Sequence, residues 1–340
     1  MIKSLGEKFV GALVAIFGAS LIAFFLLRVI PGNPARLIVG PLATPEALKQ
    51  QEHAMGIDQP VWTQYWRYVK GFVTGDWGFA YSAGETVRQQ IGARLPATLE
   101  LGFYAFILSL VLAVLLALLA TYRRRPVIDG TVRGLSFFGL GTPPFWFGLI
   151  ALLLFTQVWH IFPGPDGRLG PDYTAPPAVT HFYTFDALIA GQWATARDAF
   201  GHLVLPVITL ALAPLAFLVR LLRANLLDIS RENFIVVVRS KGLGRWSAFS
   251  RHALPNAFLP TLTASGLLLV QLLTGSVLVE KVFNWPGVGA LVVDSILRQD
   301  FAVVQTFILL SACFYVAVNL VIDVLYGVID PRVRVPVGGQ

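Results

Sequence analysis

What most restricts this chain is a series of six apolar stretches, each about twenty residues or more, set between clusters of Lys and Arg. At about 1.5 Å of rise per residue, a helix of that length crosses a hydrocarbon core roughly 30 Å thick. Hydrocarbon also requires each spanning segment to satisfy its own backbone hydrogen bonds. A helix does so, and the stretches lack the alternation of barrel strands. The charge content agrees, because 13% of the 340 residues are Asp, Glu, Lys or Arg, against about 25% in a soluble domain. The expected fold class is an all-α membrane protein with six transmembrane helices.

The predicted spans are Phe9–Ile30, Ala97–Tyr122, Val132–Trp159, His202–Leu222, Asn256–Val279 and Phe301–Gly327, the third interrupted by Gly141-Thr142-Pro143-Pro144. The first is longer than the apolar region of a secretory signal, about 7–15 residues, and no small-residue cleavage pattern follows it. It is expected to stay as an anchor. With the N-terminus placed in the cytoplasm, the inside segments hold 15 Lys and Arg in 70 positions and the outside segments hold 10 in 129. That bias predicts that both termini are cytoplasmic. The formal net charge of +7 comes from residues that flank apolar segments. They form no basic face among aromatics, so no nucleic-acid partner is expected. Cys313 is the single cysteine, inside an apolar run, which excludes a disulfide framework.

Two outside segments exceed simple turns. In residues 31–96, Thr44 and Pro45 suit the start of a helix and Gly56 its exit. From Pro60 to Val73, the residues Trp62, Tyr65, Trp66, Val69, Phe72 and Val73 share one helical face. That face is expected to pack on the domain's own core or rest at the lipid interface, in preference to an external partner. Residues 160–201, rich in Pro, Gly and Asp, read as an irregular loop.

Catalytic signatures are missing. The chain has no Gly-Lys dipeptide and so no phosphate-cradling loop, no H-E-x-x-H among its five histidines, and no G-x-S-x-G. Neither a catalytic residue nor a metal site is expected. Ser265 and Gly266 read as small residues that let helices approach closely. Asp323 is the one acidic residue placed to serve a proton-coupled carrier. Its position near the end of its helix favours capping or pairing with Arg332.

The most informative segment is the inside loop 223–255. Ser230 is positioned to cap a helix from Arg231, on which Phe234, Val237, Val238 and Lys241 follow, and Gly242 ends it. A cytoplasmic helix with exposed Phe and Val needs a groove, in a partner or on the membrane surface.

This segment resembles the cytoplasmic loop of bacterial binding-protein-dependent ABC importer permeases, E-A-A-x3-G-x9-I-x-L-P, with its glycine on Gly242 and its Leu-Pro on Leu254-Pro255. The E-A-A positions hold Val236, Val237 and Val238, and the Ile position holds His252. The match is closer to the peptide and nickel branch, written A-R-A-K-G-L and then R-H-x-L-x-N-A-x-x-P. Here stand Val238-Arg239-Ser240-Lys241-Gly242-Leu243, followed after Gly244 by Arg251-His252-Ala253-Leu254-Pro255-Asn256-Ala257-Phe258-Leu259-Pro260. Further segments are similar in order: Arg28 to Pro34, Gly75-Asp76-Trp77-Gly78, Pro96 to Leu101, Pro144-Phe145-Trp146, His202 to Pro206, Glu280 to Gly289, and Asn319 to Arg334. The long first outer segment is similar to that of the first permease subunit in dipeptide, oligopeptide and nickel systems.

The resemblance implies the type I importer permease fold, with an N-terminal helix (1–30) and an extra periplasmic domain (31–96) between the first two spans. A five-helix core (97–330) carrying the coupling loop 223–255 and a tail (331–340) complete it. It implies a bacterial inner-membrane protein that pairs with a second homologous permease, two ATPase subunits and an extracytoplasmic substrate-binding protein. ATP and Mg would sit on the ATPases, and this chain would bind no cofactor. Phe234, Val237, Val238, Arg239, Ser240, Lys241, Gly242, Leu243, Gly244, Leu254 and Pro255 would form the ATPase-coupling site. The substrate-binding residues stay unassigned, and the cargo stays open among dipeptides, oligopeptides, glutathione, opines and nickel complexes.

Overall fold

The computed structural model describes residues 2–29, 34–40, 42–80, 83–123, 126–274 and 276–329, some by backbone alone. The Pro31-Gly32-Asn33 turn, the Asp323–Arg332 pairing and the tail after Ile329 lie outside the described residues. The described chain is mostly helical and forms two compact units, residues 1–96 with 287–317, and residues 97–286 with 318–340. Among the described residues, four helices are long and apolar enough to cross a membrane: Val87–Tyr122, Trp193–Ile229, Arg245–Leu272 and Phe301–Ile322. Asp129–Gly141 and Pro144–Val158 make a fifth candidate if counted together. The N-terminal helix runs from Ile2 to Val29, and Val10–Phe25 is its apolar stretch among described side chains.

The interrupted third span is more than kinked. Its halves meet at 106° across Thr142-Pro143. Neither Pro143 nor Pro144 offers an amide hydrogen, and a residue before proline is driven out of helical geometry. Pro143 accordingly has φ −61° and ψ 129°, while Pro144 takes the first position of the next helix, where a missing N–H costs nothing.

In the first unit, Thr44 accepts a hydrogen bond from the Ala47 amide, and Gly56 leaves the Pro45–Met55 helix in the left-handed region at φ 67°, as the sequence predicts. The aromatic helix, Val61–Thr74, divides its face. Tyr65 is fully buried, edge-on to Phe24 with centroids 5.2 Å apart, and its hydroxyl lies 2.7 Å from Ser20 Oγ. Trp62 and Trp66 stay about 60% exposed. A two-stranded hairpin, Phe79–Ala80 with Glu85–Thr86, follows. The helix predicted from Ala97 starts at Val87, because Val87 and Ile91 bury themselves with Ala80, Val288, Leu291 and Val303.

The second unit is organised around the Trp193–Ile229 helix, which packs against Pro126–Gly141, Pro144–Ala151, Tyr183–Ile189 and Leu254–Thr274. Glycine permits the closest approach. A Cβ on Gly139 would stand 2.8 Å from Ala216 Cβ and 2.9 Å from the Leu212 carbonyl. Gly266 plays the part expected of it, since a Cβ there would overlap the Ile322 side chain.

Two expectations are corrected in this unit. Residues 160–201 are not wholly irregular: Tyr183–Ile189 is helical, and the next long helix begins at Trp193 instead of His202. The predicted Asn256–Val279 span ends at Thr274, and Val277–Val282 forms a separate short helix.

Candidate functional site

The long Trp193–Ile229 helix ends at Ser230, and the chain turns into the short helix Asn233–Ser240. Ser230 is not the cap of that helix. Its hydroxyl donates to the Leu226 carbonyl at 2.5 Å, closing the previous helix, and extended Glu232 occupies the cap position without a side-chain hydrogen bond. Serine suits both roles by composition, and the tighter local partner decides.

Ile235 fixes the short helix. It is buried with Leu222 and Leu226 from the helix before the loop, Ala117 from the Val87–Arg123 helix, and Phe249, Ala253 and Ala257 beyond the loop. The Asn225 side chain also donates to the Ala257 carbonyl at 3.3 Å, tying the helices on either side of the loop together. With Ile235 turned inward, Phe234, Val236 and Val237 are left 39%, 58% and 54% exposed. Arg239, Ser240 and Lys241 are exposed as well, and Val238 is half-buried. Of the valines standing at the E-A-A positions, Val236 and Val237 therefore meet open space on the outer side, which accommodates their extra bulk, and Val238 is partly covered.

Gly242 ends the helix at φ 84°, its amide donating to the Arg239 carbonyl at 3.0 Å. Nothing lies within 4 Å of the place a Cβ would take, so the need for glycine here is conformational and not spatial. Leu243 is half-buried, and Gly244 opens the next turn, Arg245–Ala248. A π-helical stretch, Phe249–Ala253, then joins the helix that starts at Leu254. Leu254 packs against the Ile235 cluster, whereas Pro255 is exposed and stands apart from it.

Sequence reasoning passed over the residues that hold this lever in place. Ile235 sits between the named exposed positions. Tyr122 comes from a helix more than a hundred residues earlier: Arg245 donates to its carbonyl at 2.9 Å, and Trp246 meets its ring edge-on at 5.1 Å. The one signal was periodicity, because Ile235 is the apolar residue on the opposite side of the helix from Val237.

A second polar assembly, also unnoticed in the sequence, lies in the segment 160–202. Glu100, 1% exposed, accepts from Arg168 Nη2 at 2.6 Å, from the Thr184 amide at 3.0 Å and from the Thr184 hydroxyl at 2.6 Å. The Arg168 guanidinium lies 3.5 Å from the centre of the Tyr183 ring. Burial pushes the Asp186 carboxyl up, but the amides of Val179, Thr180 and His181 and the Thr180 hydroxyl donate to it at 2.7–3.2 Å. They outweigh burial and hold it below the usual carboxylate range. Nearby, Glu280 accepts from Thr98 at 2.8 Å and Ser276 at 2.7 Å, and the Trp285 indole donates to the Ala97 carbonyl at 2.8 Å. No group of three His, Cys, Asp or Glu residues suited to a metal occurs among the described residues.

Residues 109–335 match the family model described as the binding-protein-dependent transport system inner membrane component, and residues 1–102 match that of the N-terminal part of such membrane components. Among curated proteins, the chain is 40% identical to a probable D,D-dipeptide transport system permease protein of Escherichia coli, covering 95% of each. It is 37% identical to a di/tripeptide transport system permease of Pseudomonas aeruginosa, covering 94% of each. A dipeptide transport system permease of E. coli is 36% identical, over 93% of this chain and 94% of the relative.

Proposed function

This chain belongs to the family of binding-protein-dependent transport system inner-membrane components, and from that premise we propose that it forms half of the translocation pathway of an ATP-driven peptide importer. A second homologous permease supplies the other half. Two ATPase subunits bind ATP and Mg on the cytoplasmic side, and an extracytoplasmic binding protein delivers the cargo. Similarity along nearly the whole chain to permeases named for dipeptides and tripeptides supports a peptide of that size as cargo. Six spans of the type I permease fold, an outer domain between the first two and both termini in the cytoplasm complete the reading. The Lys and Arg bias supports that orientation.

The observation that carries the mechanism is the Asn233–Ser240 helix, anchored inward by Ile235 and bare outward at Phe234, Val236 and Val237. A transport pathway without a nucleotide site must receive work from elsewhere, and an exposed apolar helix fits a groove in a partner. Closure of the ATPases would move this helix as a rigid body. Because Ile235 and Asn225 clasp the Trp193–Ile229 and Leu254–Thr274 helices together, the motion would tilt both and switch access across the membrane. The outward residues from Phe234 to Lys241 meet the ATPase, and Gly242, Leu243 and Gly244 set the turn.

Gly242→Val tests the assignment. A β-branched residue is strained at φ 84°, so cargo-stimulated ATP hydrolysis by the assembled complex should be lost while membrane insertion is kept. Full stimulation in that variant would refute the lever.

A further inference from the structure

Beneath the short helix lies a cavity of about 420 Å³ to which the coupling reading assigns no ligand. Tyr122, Ser230, Arg239 and Arg245 line it, together with Thr121. None of its nine described lining residues is acidic. Arg239 makes no ion pair among the described residues, and Arg245 spends one donor on the Tyr122 carbonyl. A guanidinium has five N–H donors and stays charged at any physiological pH, so most of the donor capacity of this pair is unspent. Thr121, 3% exposed, lies at the edge of the cavity. Two arginines on a cavity whose described lining holds no acid select an anion with several oxygens, which is the chemistry of phosphate.

The surroundings indicate where the phosphate comes from. Tyr122 ends the apolar span of a helix long enough to cross the membrane, and Arg123-Arg124-Arg125 follows it directly in the sequence. Trp246, 52% exposed, meets the Tyr122 ring edge-on. Tyr and Trp collect at headgroup depth, and basic pockets at the cytoplasmic ends of spans hold anionic headgroups.

We propose that this cavity binds the headgroup phosphate of an anionic phospholipid from the cytoplasmic leaflet, clamping the base of the Asn233–Ser240 helix to the end of the Val87–Arg123 helix. The bound lipid thereby sets how freely the helix moves. The inference rests on the cytoplasmic placement of this loop in the importer reading. Its readout needs no ATPase, so a failure here leaves the coupling assignment standing.

The full chain, purified from the membrane and incorporated into phosphatidylcholine nanodiscs with phosphatidylglycerol as the minor component, is assayed for co-purifying phosphatidylglycerol by native mass spectrometry. Wild type should retain it, and Arg239→Gln with Arg245→Gln should weaken retention about tenfold, as expected for loss of charge-assisted hydrogen bonds. Arg231→Gln, an exposed change outside the cavity lining, should retain it fully. Arg245→Lys keeps the charge and should keep most retention, which guards against simple unfolding of the double variant. Equal retention by wild type and the double variant overturns the proposal. Binding of inorganic phosphate alone with no preference for phosphatidylglycerol overturns the lipid source. Loss of ATPase association in Arg239→Gln with unchanged lipid retention assigns the cations to a protein interface and overturns it too.

Discussion

The segment from His160 to His202 and the loop from Ser230 to Leu254 both join long helices, yet they are built in contrary ways. The first is largely satisfied from within: Glu100, Arg168, Thr184 and Asp186 are all buried, and their charges are met by amides, hydroxyls and each other, with Arg168 Nε and His202 Nε2 the buried atoms there that find no partner among the described residues. The second is left incomplete. Its short helix Asn233–Ser240 buries one residue, Ile235, while Phe234, Val236 and Val237 face outward and the helix ends on Gly242, where a Cβ would meet nothing within 4 Å. A buried, hydrogen-bonded ion pair resists displacement, because removing either partner strands a charge in a low dielectric. A helix held by apolar contact alone can shift as a unit at little cost, which is what a transmission element needs.

That contrast sets an order of expected effects. The largest belongs to the first segment: Arg168→Leu leaves Glu100 buried without its cation and should cost about 3–5 kcal/mol of stability. Chemical unfolding in detergent reads it, and a cost below about 1 kcal/mol, the scale of an exposed pair, would erase the contrast. Next comes the buried residue of the short helix. Ile235→Ala should cost about 2 kcal/mol or more by unfolding and should also weaken coupling, since the lever loses its grip on the helices.

The Asp186 carboxyl sharpens the comparison by pH. Its folded value is lowered, so its contribution is present above the ordinary aspartate value of about 3.9 and is lost as pH falls through the folded value. Asp186→Asn should therefore cost about 1–3 kcal/mol near neutrality, and the gap from wild type should close in acid below about pH 4. A gap that holds constant across that range would exclude a charged role. The smallest effect on stability belongs to the outward face: Phe234→Ser should stay within about 0.5 kcal/mol of wild type, yet impair association with the ATPase subunits in a pull-down of the complex.

Local chemistry made several of these features legible in advance. Thr44, Gly56, Gly242 and the Pro143-Pro144 break act through backbone rules that depend on the residue and its immediate neighbours, and each is found where the sequence places it. Ser230 misled because a serine between two helices suits either end, and only the available carbonyl of Leu226 chose. The Tyr183–Ile189 helix was missed because seven residues give too little periodicity to stand out. It is held by Asp186 bonding back to Val179, Thr180 and His181, and by Glu100 some 84 positions away.

The apolar runs, the basic flanks and the ordered short motifs by themselves determined that this chain is a helical membrane protein of the binding-protein-dependent importer family. These are properties of composition and short-range order. Only the tertiary structure decided which face of Asn233–Ser240 turns outward, that Glu100 pairs with Arg168, and that Arg239 and Arg245 line one cavity. Burial and ion pairing depend on groups brought together from distant parts of the chain, and no local pattern encodes which distant group arrives.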